Sequence, residues 1–179
     1  LAGHTIEITT HRAEVYTSDS RKPGVSYSTD LVEDLSRRDF TVNAMAVDVV
    51  DGVLHDPHGG RLDLDAGLLR TPLDPEISFT DDPLRMMRAA RFIAGYGFTP
   101  APGLLDAVTS LADRMEIVSA ERKCVELFRL LSLPDPGPGL VVLVEAGLVR
   151  YVFPKVAGLG RRVLSGVFDQ MVRAPAEPL

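Results

Sequence analysis

The stretch DDPLRMMRAARF, residues 81–92, decides how the second half of this chain folds. Asp82 can accept a hydrogen bond from the free amide groups at the start of a helix. Pro83 suits the first helical position because it has no N–H to leave unsatisfied. From there Met and Ala side chains repeat at helical spacing and form an apolar stripe. The pattern predicts a helix that begins at Pro83 and ends at Gly95 or Gly97.

The same helix carries three arginines on one side. Arg85, Arg88 and Arg91 follow one another at three-residue spacing and form a basic arc opposite most of the apolar stripe. A solvated surface would explain such an arc, but the three cations lack an acidic partner at i+4 in their own helix. Asp82 adds an acceptor beside these donors, which together match a nucleobase edge, and arginine also suits phosphates. The pattern favours a nucleotide-binding face.

Two hairpins are predicted upstream of this helix. Residues 5–10 alternate apolar and polar side chains, and residues 15–17 can pair with them as the second strand. Residues 47–50 and 53–55 flank Asp51-Gly52, a dipeptide typical of tight hairpin turns. The first half is therefore expected to mix strands with short helices.

The remaining segments are predicted from helix periodicity and from Gly, Pro and other turn residues. Helices are predicted at 30–36 or 31–36, and at 41–47, 62–68, 101–114, 119–131 and 139–146. Loops or breaks are predicted at 18–29 and 134–138, and a frayed end at 173–179.

Composition limits the class of protein. The chain has 179 residues, 45% of them apolar, which is enough to bury a core in one or two compact units. The net charge of −6 argues mildly against a surface coated for nucleic acid, although 16 of the 19 basic residues are Arg. The single cysteine, Cys124, lies in a helical segment and is expected to be buried and unreactive. No apolar run is long enough to predict a membrane span, and a cytoplasmic protein is expected.

Four motifs, in this order, resemble those of a known family. Residues 37–46 (RRDFTVNAMA) resemble its RRDF-T-x-NA-M/L-A motif, and residues 56–64 (DPHGGRLDL) resemble its D-x-x-x-G-x-x-D-L element. Residues 81–85 (DDPLR) resemble its (E/D)DxxR segment, and residues 121–127 (ERKCVEL) its ERxxxEL helix. The resemblance covers most of residues 4–155. The chain is therefore similar to the class II tRNA nucleotidyltransferases, which are CCA-adding enzymes, and to the bacterial poly(A) polymerases.

The resemblance implies an α+β fold. The C-terminal part of a polymerase-β-like nucleotidyltransferase palm would be followed by an all-α neck and body. Residues 1–72 would be a partial head or palm domain, and residues 73–133 a helical neck domain that selects the nucleotide and binds RNA. Residues 134–179 would be the start of a helical body that is truncated.

The resemblance also implies a role for each residue of the basic helix. Asp82 and Arg85 would hydrogen-bond the base edge of incoming CTP or ATP. Arg88 and Arg91 would contact the nucleotide, most plausibly its phosphates, as would Arg38. An ordinary surface pair formed by Arg38 and its neighbour Arg37 is the alternative.

Three further sets take their roles from the resemblance. Asp39 and Asn43 would bind the ribose hydroxyls, with local side-chain-to-backbone bonds as the alternative. The flexible element, which would move as the pocket changes from C to A, consists of Asp56, Gly59, Gly60 and Asp63. A Gly-rich turn is favoured there over a metal site with His58. The residues expected to brace the helices are Glu121, Arg122 and Glu126.

The metal-binding part of the family pattern is not found in residues 1–179. Its carboxylates come from a DxD pair after a GGxVRD-like turn, and both are expected upstream of Leu1. Glu7, in TIEITTHR, could be a third carboxylate and a weak Mg²⁺ ligand, and an exposed strand Glu without a metal role is the alternative. Most Mg²⁺ ligands are therefore expected outside the chain, which alone should catalyse nothing.

The full-length parent is expected to add CCA to tRNA from CTP and ATP and to release pyrophosphate. Its partners would be tRNA or another RNA 3′ end and nucleoside triphosphates, with no membrane. The alternatives are a bacterial poly(A) polymerase, a CC-only or A-only enzyme, a non-catalytic RNA-binding remnant and a helical interaction module. The sequence does not indicate an oligomeric state.

Overall fold

The computed structural model describes residues 13–15, 24–26 and 30–153. Its strands are β1 (Ala13–Val15), β2 (Gly24–Ser26), β3 (Ala46–Val47), β4 (Leu54–His55), β5 (Leu68–Leu69) and β6 (Thr99–Pro100). Its helices are α1 (Leu31–Ser36), α2 (Gly60–Asp65), α3 (Pro75–Asp81), α4 (Leu84–Tyr96), α5 (Leu104–Ser110), α6 (Ala120–Leu131), α7 (Gly137–Glu145) and α8 (Val149–Val152). Short 3-10 turns lie at Thr41–Asn43 and Ala112–Ile117. The predicted α+β class is confirmed.

The strands form three small two-stranded pairs. β1 pairs with β2 and β3 pairs with β4, both antiparallel, whereas β5 and β6 are parallel. The β5–β6 pair joins the first half of the chain to the segment that follows α4. The three pairs leave most of the core to the helices.

Helix α4 lies at the centre of the helical half and packs against α6 and α7. Its apolar stripe is buried as predicted, with Met86 and Ala90 fully inaccessible. Helix α7 comes so close that a side-chain carbon built on Gly139 would lie 2.6 Å from the Ala90 carbonyl oxygen. This contact explains why the facing residues of the two helices are small. The predicted helix over 83–95 or 83–97 is confirmed as Leu84–Tyr96.

Helix α3 is an element that the sequence analysis does not predict. Asp74 caps it, because its carboxylate accepts a hydrogen bond from the Glu76 amide at 2.9 Å, and Pro75 occupies the first turn. This Asp-Pro pair repeats the signal at Asp82-Pro83 only eight residues earlier. Asp82 ends α3 with extended backbone, so it lies at the corner between α3 and α4.

Two helices predicted in the first half differ from the structure. The helix over 41–47 is wrong: a 3-10 turn at Thr41–Asn43 is followed by β3. The backbone N–H of Thr41 donates to the Arg70 carbonyl at 2.8 Å, a long-range bond that competes with helix formation. The helix over 62–68 is shifted, since α2 spans Gly60–Asp65 and β5 follows it.

The predicted hairpins are correct only in part. Val47 pairs with Leu54, so residues 48–53 form a longer loop than a two-residue turn. The side chains of Asp48 and Asp51 stabilise this loop by accepting bonds from amides two residues ahead. β2 lies inside the predicted loop 18–29 and pairs with β1, so the prediction of a loop is wrong for residues 24–26. Residues 5–10 lie outside the described part of the chain.

The later helices follow the sequence more closely. The prediction over 119–131 is confirmed by α6, which Ser119 caps, and that over 139–146 by α7, which starts two residues earlier. Residues 101–114 form α5 and a separate 3-10 turn instead of one helix. Cys124 is exposed on α6, so its predicted burial is wrong. Within the described ranges, no helix combines the length and apolarity that crossing a membrane requires.

Candidate functional site

A polar cleft opens where the residues that follow α1 meet the corner between α3 and α4. Its volume is about 450 Å³. It is lined by Arg37, Arg38, Asp39, Asn43, Asp82, Leu84, Arg85, Arg88 and Arg122. Residues far apart in the chain are therefore brought together, and six of the seven predicted to contact the nucleotide are among them.

Asp82 forms one wall of this cleft. One oxygen, Oδ1, accepts a bond from the Leu84 amide at 3.2 Å and so caps α4, as predicted from the Asp-Pro pair. The other oxygen, Oδ2, accepts from the Arg122 guanidinium at 2.9 Å. About a quarter of the side chain, 24%, is exposed. The carboxylate is thus oriented from two sides while one edge faces the cleft.

Arg85 lies beside Asp82, and its guanidinium is hydrogen-bonded to Ser78 and Arg37. Its Nη1 donates to the hydroxyl of Ser78 at 2.9 Å and to the carbonyl of the same residue at 3.1 Å. Its Nη2 donates to the carbonyl of Arg37. A guanidinium has five N–H groups. Three of the five N–H groups of Arg85 donate to described residues, which leaves two N–H groups for a ligand.

Arg88 forms an ion pair with Asp39, a residue distant in sequence. Asp39 Oδ2 accepts from Arg88 Nε at 2.8 Å and from Nη2 at 2.5 Å. Oδ1 accepts from the amide of Phe40 at 2.9 Å and from the side chain of Asn43 at 3.1 Å. The local side-chain-to-backbone bond considered for Asp39 is therefore present, whereas Asn43 bonds to the side chain of Asp39. A ribose hydroxyl could reach this carboxylate only if one of its four donors moved away.

Arg91 points away from the cleft and does not line it. Its Nε donates to Glu126 at 2.8 Å, and its guanidinium lies 4.9 Å from the centre of the Phe92 ring. Glu126 is only 3% exposed and also accepts from Arg129 at 2.7 Å, while Arg88 approaches to 3.7 Å. Arg88 and Arg91 of α4 therefore have acidic partners, but in other parts of the chain. The i+4 comparison within one helix could not reveal them.

Two basic residues complete the rim. Arg37 and Arg38 both pair with Asp34 in α1, the latter at 2.9 Å. Arg38 is 49% exposed in its side chain and lies at the cleft. Arg122, predicted only to brace helices, also lines the cleft, whereas Glu121 is exposed on α6. Five arginines thus line the cleft together with two carboxylates, a charge balance that suits an anionic ligand with a polar, planar part.

The predicted flexible element lies next to the cleft and is anchored at both ends. Asp56 accepts from the amides of Gly60 at 2.6 Å and Arg61 at 3.0 Å, where α2 begins. A side-chain carbon on Gly60 would lie 2.1 Å from the carbonyl oxygen of Thr41, so only glycine fits there. Gly59, just before it, has a positive φ of 70°. The favoured Gly-rich turn is the local structure observed, and movement of this element stays a prediction.

Asp63, the last residue of this element, is buried and connects it to the cleft segment. Its Oδ2 accepts from the Thr41 hydroxyl at 2.7 Å and pairs with Arg70 at 3.2 Å. Thr41 follows Asp39 by two residues, so this bond connects α2 to the segment that forms the cleft wall.

The described residues do not fit a divalent cation. They contain no group of three or more His, Cys, Asp or Glu side chains that could hold a metal. The cleft carboxylates Asp39 and Asp82 are each bound to an arginine, which competes with a cation. His58, considered with Asp56 and Asp63, lies 3.1 Å from the Ser36 hydroxyl instead. Glu7 lies outside the described residues.

Ser78 is the polar residue at this site that sequence reasoning missed. No motif includes it, and a single Ser ahead of DDPLR carries no signal of its own. The unpredicted helix α3 brings its hydroxyl within hydrogen-bond distance of the Arg85 guanidinium. Recognising the Asp74-Pro75 helix start would have placed Ser78 one turn before Asp82.

Both halves of the chain match known protein families. Residues 1–70 match the family described as the poly A polymerase head domain. Residues 97–159 match the family described as the probable RNA and SrmB-binding site of polymerase A.

Individual relatives are similar over much of the chain. The CCA-adding enzyme of Bacillus velezensis is 40% identical over 175 residues, which are 97% of this chain and 42% of that protein. The CCA-adding enzyme of Geobacillus stearothermophilus is 40% identical over 157 residues, 87% of this chain and 38% of the relative. The chain thus spans about two fifths of the length of these curated relatives.

Solved structures show the same fold. The CCA-adding enzyme of Bacillus stearothermophilus in complex with CTP matches with a TM-score of 0.72 and 39% identity, over 79% of this chain and 36% of that one. The Thermotoga maritima CCA-adding enzyme complexed with tRNA-CCA matches with a TM-score of 0.64 and 32% identity, over 70% of this chain and 31% of that one. The polymerase-β-like nucleotidyltransferase fold is shared with these proteins.

Proposed function

The chain belongs to the nucleotidyltransferase family of CCA-adding enzymes and poly(A) polymerases, and from this premise we propose that it is the nucleotide-selecting part of an enzyme that adds CCA to tRNA. The observation that carries the proposal is the position of Asp82 and Arg85 side by side in one polar cleft. In the reaction, the 3′-hydroxyl of the RNA attacks the α-phosphate of CTP or ATP and pyrophosphate leaves. Related enzymes have been solved with CTP, with ATP and with tRNA.

Selection of C and A follows from the chemistry of this pair. Cytosine and adenine both carry an exocyclic amine next to a ring nitrogen that accepts hydrogen bonds. The Asp82 carboxylate can accept from the amine while the unused N–H groups of Arg85 donate to the ring nitrogen. Uracil and guanine present a carbonyl oxygen where the amine would be, and this oxygen would face the carboxylate. Each such mismatch costs on the order of 1–3 kcal/mol.

The remaining cations would hold the triphosphate. Arg38 is half-exposed at the rim and can turn toward a phosphate while keeping its charge in the cleft. Arg88 holds Asp39 through Nε and Nη2, and a triphosphate that drew these groups away would free the carboxylate for a ribose hydroxyl. Arg91 is assigned to holding Glu126, and through it the position of Arg88.

The parts of the enzyme outside the described residues belong to the same proposal. Mg²⁺ ligands are expected there, and no step through the metal is derived from the residues described. The proposal also divides the chain into a head, a neck and a body, with boundaries at 72/73 and 133/134. The helical half would hold an RNA 3′ end, and the enzyme would be cytoplasmic. Backbone contacts to the RNA suit a substrate defined by shape.

The proposal is tested on the product of the complete reading frame that encodes residues 1–179. This protein is incubated with tRNA lacking CCA and with each nucleotide, alone and in pairs. Addition that stops after C, C and A supports the proposal. Open-ended addition of A would show a poly(A) polymerase, and RNA binding without any addition would show a non-catalytic remnant. Either result would overturn it.

A further inference from the structure

Ser78 is a buried polar side chain to which the proposed chemistry gives no role. It is 2% exposed and lies in α3, on the side that faces α4. Its hydroxyl oxygen is 2.9 Å from Arg85 Nη1, and its carbonyl oxygen is 3.1 Å from the same atom. One residue thus supplies two acceptors to one nitrogen.

This use of a helical hydroxyl differs from that in helix α5. The hydroxyls of Thr109 and Ser110 donate to the carbonyls of Leu105 and Ala107 in the same helix. Such bonds are local and satisfy the hydroxyl without involving another element. The Ser78 hydroxyl instead accepts from Arg85, in the next helix, and so fixes the position of a cation at the cleft.

The bonds to Arg85 come from two sides. Ser78 binds Nη1, and the carbonyl of Arg37, in the segment that follows α1, binds Nη2. An arginine side chain has several rotatable bonds, and fixing its planar guanidinium restricts which N–H groups can face a ligand. With these two partners in place, Nε–H and one N–H of Nη2 remain available to a ligand in the cleft, which Arg85 and Asp82 both line.

We propose that Ser78 is a positioning residue for nucleotide selection: its hydroxyl orients the guanidinium of Arg85 toward the base. The inference rests on the proposed function, because it matters only if Arg85 contacts the base. Ser78 itself touches no nucleotide. Without its hydroxyl, Arg85 keeps its charge and still attracts every nucleoside triphosphate, but its donors are less well aligned for C and A.

The test compares variants of the complete reading-frame product. The kcat/KM is measured for CTP, ATP, UTP and GTP with Ser78→Ala, Ser78→Thr and Thr80→Val. Ser78→Ala should lower the preference for CTP and ATP over UTP and GTP by about 3- to 10-fold, since one bond to a charged group is lost. Ser78→Thr keeps the hydroxyl and should restore most of the preference. Thr80→Val removes a hydroxyl from the exposed side of the same helix and should change nothing.

Two results would overturn the inference. One is an equal loss for all four nucleotides in Ser78→Ala, as a purely structural defect would produce. The other is an unchanged preference in Ser78→Ala. Should Ser78→Ala not fold, Ser78→Cys replaces it with the same expectations, because sulfur is a weak acceptor.

Arg85→Ala separates this inference from the proposed function. If Arg85→Ala abolishes the preference and Ser78→Ala leaves it intact, only the role of Ser78 is wrong. If Arg85→Ala also leaves the preference intact, the base-selecting role of the cleft fails, and the inference fails with it.

Discussion

Carboxylates from distant parts of the chain hold two of the arginines of α4. Arg88 is bound by Asp39, and Arg91 is bound by Glu126, which is almost fully buried. A buried charge that loses its partner is costly, so these pairs are needed for the fold. At the scale of single residues, a ligand that takes the Nε and Nη2 groups of Arg88 must therefore displace a carboxylate already in place.

Removal of the Glu126 carboxylate should destabilise the protein strongly. Glu126→Ala leaves Arg91 without its acceptor in a site where the arginine side chain is only 16% exposed. The expected loss in the free energy of unfolding is about 3–5 kcal/mol, as for other broken buried pairs. The measurement is urea unfolding of the 179-residue chain. The free energy of unfolding of Glu121→Ala, on the exposed side of the same helix, should stay within about 0.5 kcal/mol of that of the unsubstituted chain. Similar losses in both variants would contradict the role of Glu126 as the buried partner of Arg91.

Asp39 is expected to affect the choice between ribose and deoxyribose. Asp39→Asn weakens the bond to Arg88 and removes the charged acceptor proposed for the ribose hydroxyls. The ratio of kcat/KM for CTP to that for dCTP should fall by about 5- to 10-fold in the complete reading-frame product. Asp106→Asn, an exposed change in α5, is the control for charge. A ratio that stays at the value of the unsubstituted enzyme would rule out ribose contact at Asp39.

At the scale of the elements, the close contact between α4 and α7 depends on the absence of a side chain at one position. Gly139→Ala would place its Cβ 2.6 Å from both the Ala90 carbonyl oxygen and a methyl group of Leu130. The backbone atom cannot move aside easily, and the expected destabilisation is about 1–3 kcal/mol by thermal or urea unfolding.

Gly95→Ala provides the matched control. Its Cβ would meet only the methyl groups of Leu133, at 3.3 and 3.4 Å, and α4 would gain from the better helix propensity of Ala. Its stability should be unchanged or higher by up to about 1 kcal/mol. If Gly139→Ala is as stable as Gly95→Ala, the two helices are not packed as closely as described.

The success of sequence reasoning differed between elements for physical reasons. Helix α4 was predictable because capping, periodicity and burial all agree over 84–96. Residues 41–47 were not, because the bonds of Thr41 to Arg70 and Asp63 come from distant parts of the chain. Helix α3 was missed although Asp74 and Pro75 give the same start signal as Asp82 and Pro83.

At the scale of the whole molecule, the four motifs were enough to identify the family and to nominate most of the cleft lining. They could not show which side chains pair with which. The Asp39–Arg88 pair spans 49 positions in sequence, and no local pattern links its two members. Arg91 belongs to the same periodic series as Arg85 and Arg88 but lies outside the cleft lining, because Glu126 holds it.

The isolated 179-residue chain should bind nucleotides weakly and transfer none. The residues described hold no cluster of potential metal ligands, and the phosphate is attacked efficiently only where its charge is neutralised. The measurement is a gel assay with tRNA lacking CCA, CTP, ATP and Mg²⁺, with the complete reading-frame product as positive control. Extension of the RNA by residues 1–179 alone would contradict this expectation.

Competition between CTP and UTP shows whether the cleft of Asp82 and Arg85 chooses the nucleotide. Arg85→Lys keeps the positive charge but removes the planar fork of donors. In the complete reading-frame product its preference for CTP over UTP should fall by about tenfold or more, which corresponds to one base-specific contact of roughly 1–3 kcal/mol. Binding of the tRNA should be unchanged. A preference equal to that of the unsubstituted enzyme would contradict the account.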